Sequence, residues 1–161
     1  IEVYVVIMLS TPLLLQLMVV FFGLPYLGIR FDRFPAAVFA FIINYTAYYI
    51  EIFRGGFTAI SPGQYESLKV LGIGRVRGFI RIIVPQVLNT VLPSVGNEVV
   101  ALVKDTSLVY VIGLGEILRV ASISANTFAS LAPFLIVGVI YMIIVAVVTL
   151  ILRQIEKKLT Y

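Results

Sequence analysis

The chain has 161 residues, of which 61% are hydrophobic and 12% charged, and its formal net charge is +4. Soluble domains are about half apolar and a quarter charged, so this composition excludes a soluble domain and indicates an integral membrane protein. Cys and His are both absent, which excludes disulfides, Cys or His metal ligands, Cys nucleophiles and His bases. We expect no metal site and no catalytic residue.

Four apolar runs are long enough to cross a bilayer as helices, for which about 20 residues are needed. They cover roughly 3–27, 34–53, 82–103 and 128–152. The chain begins on Ile1, without a Met and inside an apolar stretch, so we expect a helix to be missing ahead of it. The sequence therefore predicts an all-α membrane protein with four transmembrane helices in this fragment.

A Thr-Pro pair interrupts the first run. Pro12 has no N–H, so a carbonyl of the preceding turn loses its donor. Broken backbone at membrane depth is tolerated only where protein or water covers it. We therefore expect Thr11 and Gln16 to line a pathway, although Pro12 also fits an ordinary first turn of a helix.

The second run carries a polar stripe at helical spacing, formed by Asn44, Tyr45, Tyr48 and Glu51. Side chains three and four residues apart share one helix face, and this face should meet protein or water rather than lipid. Asn44 and Tyr45 fit either a pathway wall or hydrogen bonds between helices. Glu51 precedes Arg54 by three residues, which predicts a structural ion pair.

A polar segment follows the second run and contains a short predicted helix over 61–72. Ser61, Pro62 and Gln64 stand in the order of a capping box with Pro in the first turn. Gly72 stands where a helix end favours the left-handed conformation. A capped helix that still carries apolar side chains needs a partner to dock against.

Positive charge is concentrated in that polar segment and after the last run. Five Lys and Arg residues lie within 54–81 and three more within 153–158, with one acid in each place. The positive-inside rule places both in the cytoplasm, and the two crossings between them agree. The links 28–33 and 104–125 are then predicted on the outer side.

The third run contains ionisable residues, which are rare within membranes and usually functional. Glu98 and Asp105 share one helix face, and Asn97 and Lys104 share the neighbouring face. Helix rise from Pro85 places Glu98 about 20 Å up, near mid-membrane, and Asp105 near the outer end. These side chains either line a pathway or neutralise one another.

Other classes fit the sequence poorly. An intramembrane enzyme needs an activated nucleophile, and the nearest pair, Ser107 with Lys104, has nothing to activate it. The glycine-rich GIGRVRG has Arg77 where a dinucleotide loop needs Gly. A helix-dimer motif from Gly74 to Gly78 would require the segment to lie in lipid. A channel or scaffold explains the spans but not the capped helix.

One motif resembles a known family. From Glu66, the letters ESL, three residues, G, nine residues and IIVP match in spacing the EAA loop of ABC-importer permeases, E-A-A-x3-G-x9-I-x-L-P. Stretches at 22–25, 34–57 and 92–119 are similar to the polar amino-acid permeases of that group, in the same order. The resemblance covers essentially the whole chain, but Leu9-Ser10 stands where the family usually has Arg-Gly.

The resemblance implies a type I ABC importer transmembrane domain over 1–161, without the family's first helix. It implies a subunit with no catalysis and no bound cofactor, since ATP and Mg belong to two partner ATPases. Further partners are a second permease subunit, identical or related, an extracytoplasmic binding protein, the amino acid and the lipid bilayer, but no nucleic acid. The chain would be a multi-pass bacterial inner-membrane protein with its EAA loop and C-terminus cytoplasmic.

The resemblance also implies roles for single residues. Tyr65 and Leu68 would fill a groove on the ATPase, Glu66 would meet basic groups there, and Gly72 would allow the turn. Asn97 and Glu98, in the family's GNE segment, would line the substrate pathway. Acidic groups in that pathway are compatible with a basic amino acid, but every amino acid has an ammonium group.

Overall fold

The computed structural model of the protein describes residues 1–159, and all regular structure within them is helical. In chain order the helices are α1 (Glu2–Ser10), α2 (Leu13–Met18), α3 (Arg33–Thr58), α4 (Pro62–Val70), α5 (Arg75–Gly78), α6 (Val84–Asp105), α7 (Ile117–Phe128) and α8 (Ala132–Leu159). Short π-helical and 3₁₀ turns extend α2 to Leu27, join α5 to α6, and extend α6 to Ile112.

Three helical stretches of the described chain are long and apolar enough to cross a membrane: Arg33–Thr58, Arg75–Ile112 and Ala132–Lys158. The first predicted run is not one straight span. The chain bends by 102° between its two parts, Glu2–Ser10 and Leu13–Leu27. The bend falls at Pro12, which has no N–H with which to continue the ladder of α1. Four spans result if the bent pair counts as one.

Helix α3 lies at the centre and packs against α1, α2 and α6, while α6 also packs against α8. The crossing of α3 and α6 is close because Gly56 faces Val87 and Val91 without a side chain of its own. Both valines are buried and form a core cluster with Ile83. A second cluster joins α2, α3 and the end of the α6 extension around Leu17.

The third span is longer than the sequence predicted, and one of its acids contacts the middle of α3. The hydroxyl of Tyr45, near the middle of the 26-residue α3, donates to Asp105 at 2.8 Å. Asp105 therefore contacts a residue from the middle of α3, and Glu98 lies about 10 Å from Asp105 along α6, towards α5. The helix continues through the charged pair at 104–105 as far as Ile112, beyond the predicted end of the third run, and the membrane depths of Glu98 and Asp105 stay predictions.

The segment predicted as an outer link contains α7, which packs against α8. Before it, Gly113 turns the chain with φ +79°, a conformation that favours glycine. The Arg33 Nε group donates to the Ile112 carbonyl at 3.0 Å, and Arg119 donates to the Gly113 carbonyl. The Arg33 bond holds the end of the third span against the start of α3, and the Arg119 bond joins the turn at Gly113 to α7.

Candidate substrate cavity and coupling helix

A cavity of about 630 Å³ opens between the α1–α2 break, α3 and α6. Its polar lining residues are Ser10, Thr11, Asn44, Tyr45, Tyr48, Glu98 and Asp105. Each of the three elements contributes polar groups, so the cavity is formed by the fold and not by one stretch of sequence. Its size falls in the range of small-molecule sites, roughly 300–1,000 Å³.

Among the residues that the structure describes, two carboxylates and no cation line this cavity. Glu98 and Asp105 face it from α6, as their spacing of seven residues predicted. Lys104 is exposed and is not a lining residue. Within residues 1–159 it makes no ion pair closer than 4.0 Å with either acid. The three residues therefore do not form a network of ion pairs that neutralises itself.

The break in the first span contributes one cavity wall, and Thr11 is part of that wall. Gln16 lies behind it: its Nε2 is 2.7 Å from the Thr11 hydroxyl, and its Oε1 accepts from Asn44 Nδ2 at 3.0 Å. Asn44 thus lines the cavity and also joins two helices. The hydrogen bond between helices that the sequence predicted for Asn44 is confirmed, and its place in a substrate pathway stays a prediction.

Asn97, a predicted pathway residue, lies outside this arrangement. It is exposed on the neighbouring face of α6 and does not line the cavity. Ala101 and Leu108 do line it and were not predicted. Ala101 follows Glu98 by three residues, and Leu108 follows Ala101 by seven. Both therefore lie on the helix face of Glu98, and spacing alone would have found them. Apolar residues offered no chemical reason to look.

The predicted caps of α4 are both present. The Ser61 hydroxyl accepts from the Gly63 N–H at 3.3 Å, and Gly72 adopts φ +67°. The Ile73 N–H donates to the Leu68 carbonyl at 3.0 Å, which is the closing bond of a Schellman motif. The reciprocal half of the capping box is absent, because the Gln64 side chain contacts Gln86.

The side chains of α4 face two ways. Leu68 packs on Gly78 and joins the Ile83 cluster, so it contacts its own chain, and its contact with an ATPase groove stays a prediction. Tyr65 is 39% exposed and lines a groove of about 750 Å³ between α4 and α5. Val70 and Leu71 are 87% and 71% exposed. The last two are the apolar side chains that α4 presents outward.

Two acidic residues, one on α4 and one near the end of α3, behave differently. Glu66 is exposed and makes no ion pair closer than 4.0 Å with the described residues. Glu51 pairs with Arg54, as predicted. No group of three or more Asp and Glu residues in the described chain is placed to hold a metal ion.

Comparison with known proteins places this geometry in context. A family model described as "binding-protein-dependent transport system inner membrane component" matches residues 1–161. The arginine transport system permease protein ArtQ of Bacillus subtilis is 40% identical over 160 residues, which cover 98% of this chain and 73% of ArtQ. The glutamine transport system permease protein GlnP of Escherichia coli is 37% identical with the same coverage.

A solved structure is similar across nearly the whole chain. It is described as the crystal structure of an amino acid ABC transporter with histidines, and it matches with a TM-score of 0.88 and 32% identity. The match covers 98% of this chain and 74% of that chain. The arrangement of helices around the cavity is therefore shared with a transporter subunit.

Proposed function

The chain belongs to the family of binding-protein-dependent transport system inner membrane components, and we propose that it is a permease subunit of an ATP-driven amino-acid importer. Its all-helical fold is that of a type I ABC importer permease. Relatives named as arginine and glutamine permeases support an amino-acid substrate. The observation that carries the proposal is the cavity between the broken first span, α3 and α6.

The charge of the cavity favours a cationic substrate. Glu98 and Asp105 give its lining a formal charge of −2 with no opposing cation. An unpaired charge in a low-dielectric pathway costs several kcal/mol. A basic amino acid carries two cationic groups and one carboxylate, so it offsets this charge better than a neutral or acidic one. We infer a preference for basic amino acids.

Within the cavity the two acids have different tasks in this proposal. Asp105 already accepts a hydrogen bond from Tyr45 at 2.8 Å, so its position is fixed before a substrate arrives. Glu98 lies on the same helix face, two turns before Asp105. We assign to Glu98 the first contact with a substrate ammonium group. Thr11 and Asn44 offer polar groups for the rest of the molecule.

Coupling to ATP hydrolysis is assigned to α4. Leu68 anchors this helix to the Ile83 cluster of its own chain. A movement of α4 is therefore transmitted directly to the start of α6. Glu66, Val70 and Leu71 remain exposed, and we propose that they meet the ATPase together with Tyr65. Gly72 ends the helix and turns the chain back towards α5.

The remaining partners follow from this role. We propose a multi-pass protein of the bacterial inner membrane, oriented by its basic residues with α4 and the C-terminus in the cytoplasm. A second permease subunit, identical or related, two ATPase subunits that carry ATP and Mg, and an extracytoplasmic binding protein complete the importer. This chain binds no cofactor of its own in the proposal.

Uptake by the reconstituted complex tests the function. The full-length protein, its ATPase and its binding protein are placed in proteoliposomes, and arginine uptake is measured with glutamine or glutamate as competitor. We expect Glu98→Gln to raise the KM for arginine at least about tenfold, because a buried charge loses its partner. Glu2→Gln, an exposed carboxylate outside the cavity, is the matched control.

Three outcomes contradict the proposal at different levels. Arginine kinetics unchanged in Glu98→Gln would remove this acid from the site. Equal uptake of arginine and glutamate would remove the preference for basic substrates. ATP hydrolysis that proceeds equally fast with and without the loaded binding protein would contradict the importer itself.

A further inference from the structure

The break between α1 and α2 leaves backbone carbonyls that need donors. In an unbroken α-helix the N–H of residue 12 would donate to the carbonyl of Met8, but Pro12 has no N–H. The Gln16 Nε2 atom lies 3.0 Å from that Met8 carbonyl oxygen and 3.1 Å from the Thr11 carbonyl oxygen. A side chain thus replaces the backbone donor that proline removes.

The Thr11 hydroxyl takes part in the same set of bonds. Gln16 Nε2 lies 2.7 Å from this hydroxyl, which itself donates to the Ile7 carbonyl at 2.8 Å. The amide has two hydrogens, which are shared among three acceptors around the break. Thr11 is the member of this set that lines the cavity.

The carbonyl end of the same amide reaches α3. Asn44 Nδ2 donates to Gln16 Oε1 at 3.0 Å, and Asn44 is only 2% exposed. The next residue, Tyr45, donates to Asp105 on α6 at 2.8 Å. Two successive residues of α3 therefore hold the broken span on one side and the acidic wall on the other.

We propose that Gln16 is a positioning residue for the substrate cavity. It does not line the cavity, so it has no contact with a substrate there. Its amide fixes the break at Thr11 and, through Asn44, the distance between that wall and the acidic face of α6. The inference rests on the proposed function, because it takes the cavity as the path of the amino acid.

The main test is the uptake kinetics of Gln16→Leu in the complete reconstituted complex. Leucine fills similar space but donates and accepts nothing, so the carbonyls of Met8 and Thr11 and the amide of Asn44 lose a partner. We expect the KM for arginine to rise about fivefold with kcat changed less than about twofold, since the loss is one of binding geometry. Gln154→Leu, on the exposed surface of α8, is the matched control and should leave both constants unchanged.

A double-mutant cycle separates positioning from general damage. Gln16→Leu, Asn44→Leu and the double variant are compared with the wild type. We expect the fold-increase in KM of the double variant to be smaller than the product of the two single fold-increases. Multiplicative effects would overturn the proposal, as would a Gln16→Leu complex with reduced yield but unchanged KM. If Gln16→Leu does not assemble, Gln16→Glu replaces it, because glutamate keeps an acceptor for Asn44 and loses the donors.

Hydrogen exchange keeps this test independent of the proposed function. Should the wild-type complex take up no amino acid, the proposed function fails, and amide exchange over residues 8–16 still tests the role of Gln16. We expect faster exchange there in Gln16→Leu than in Gln154→Leu. Equal exchange in the two variants would overturn the positioning role.

Discussion

The cavity and the coupling helix α4 both carry polar side chains, but the fold treats them differently. In the cavity, Tyr45 donates to Asp105 and Asn44 donates to Gln16, so polar groups of different helices hold one another. On α4 the Ser61 hydroxyl bonds within its own helix, Gln64 accepts one long bond from Gln86 at 3.4 Å, and Glu66 is exposed. One region is fixed by its own chain, and the other is left open.

This difference indicates what each region requires in order to act. Groups that recognise a substrate need their geometry in place before binding, which neighbouring hydrogen bonds provide. A docking helix needs only a rigid backbone and an anchor, and its outer side chains become ordered against the partner. Substitutions in the cavity should therefore alter stability as well as transport. Substitutions on the outer face of α4 should alter assembly alone.

The largest expected effect comes from Glu66→Lys, which tests the open side of the comparison. We expect ATPase binding and stimulated ATP hydrolysis to fall at least about tenfold, because a like charge at an interface costs several kcal/mol. Thermal unfolding of the isolated permease should be unchanged, since Glu66 has no ion pair with the described residues to lose. Co-purification with the ATPase and calorimetry measure the two quantities.

Its control is Glu2→Lys, the same charge reversal at an exposed position on α1. We expect that variant to bind the ATPase normally. Normal binding and transport by Glu66→Lys would show that α4 does not present Glu66 to the motor. A loss of thermal stability in Glu66→Lys would instead remove the contrast with the cavity.

Local features of α4 could be predicted from sequence because their causes lie within a few residues. Ser61 and Gly72 act on the backbone of the same short helix, and both caps form as expected. The direction of Leu68 could not be predicted in this way. It depends on Gly78, whose missing side chain leaves room for Leu68 against the core, and the family resemblance supplied no information on that packing.

The cavity was predictable only in part, because its contacts join residues that are far apart in the sequence. The spacing of Glu98 and Asp105 placed both on one face, but the predicted apolar run ended at 103, whereas the helical span continues to Ile112. The bond between Gln16 and Asn44 joins residues 28 positions apart. Its cause is the 102° bend at Pro12, and a proline in a sequence does not reveal the angle that its helix will take.

Tyr45→Phe should have the second largest effect and tests the closed side of the comparison. The substitution removes the hydroxyl that donates to Asp105 and leaves a carboxylate without that donor. A buried polar group that loses its partner destabilises a fold by about 1–3 kcal/mol, so we expect a lower thermal unfolding temperature and weaker arginine uptake. Tyr26→Phe is the matched control because Tyr26 is 92% exposed.

Unfolding temperatures of the two tyrosine variants decide this prediction. Equal stability of Tyr45→Phe and Tyr26→Phe would mean that the Tyr45–Asp105 bond does not hold α3 to α6. A stability loss without any change in uptake would separate the bond from the cavity's function. In that case Asp105 would be a structural acid and Glu98 would remain the substrate contact.

The smallest effect is expected for Glu51→Gln, which removes the ion pair with Arg54. This pair contains a carboxylate, as the cavity does, but it is exposed like the side chains of α4. The Glu51 and Arg54 side chains are 40% and 72% exposed, and exposed pairs contribute little because solvent screens them and ordering two side chains opposes them. We expect no measurable change in unfolding temperature or uptake. A loss as large as that of Tyr45→Phe would mean that burial does not separate the two regions, and that ion pairs at the end of α3 help to hold the bundle.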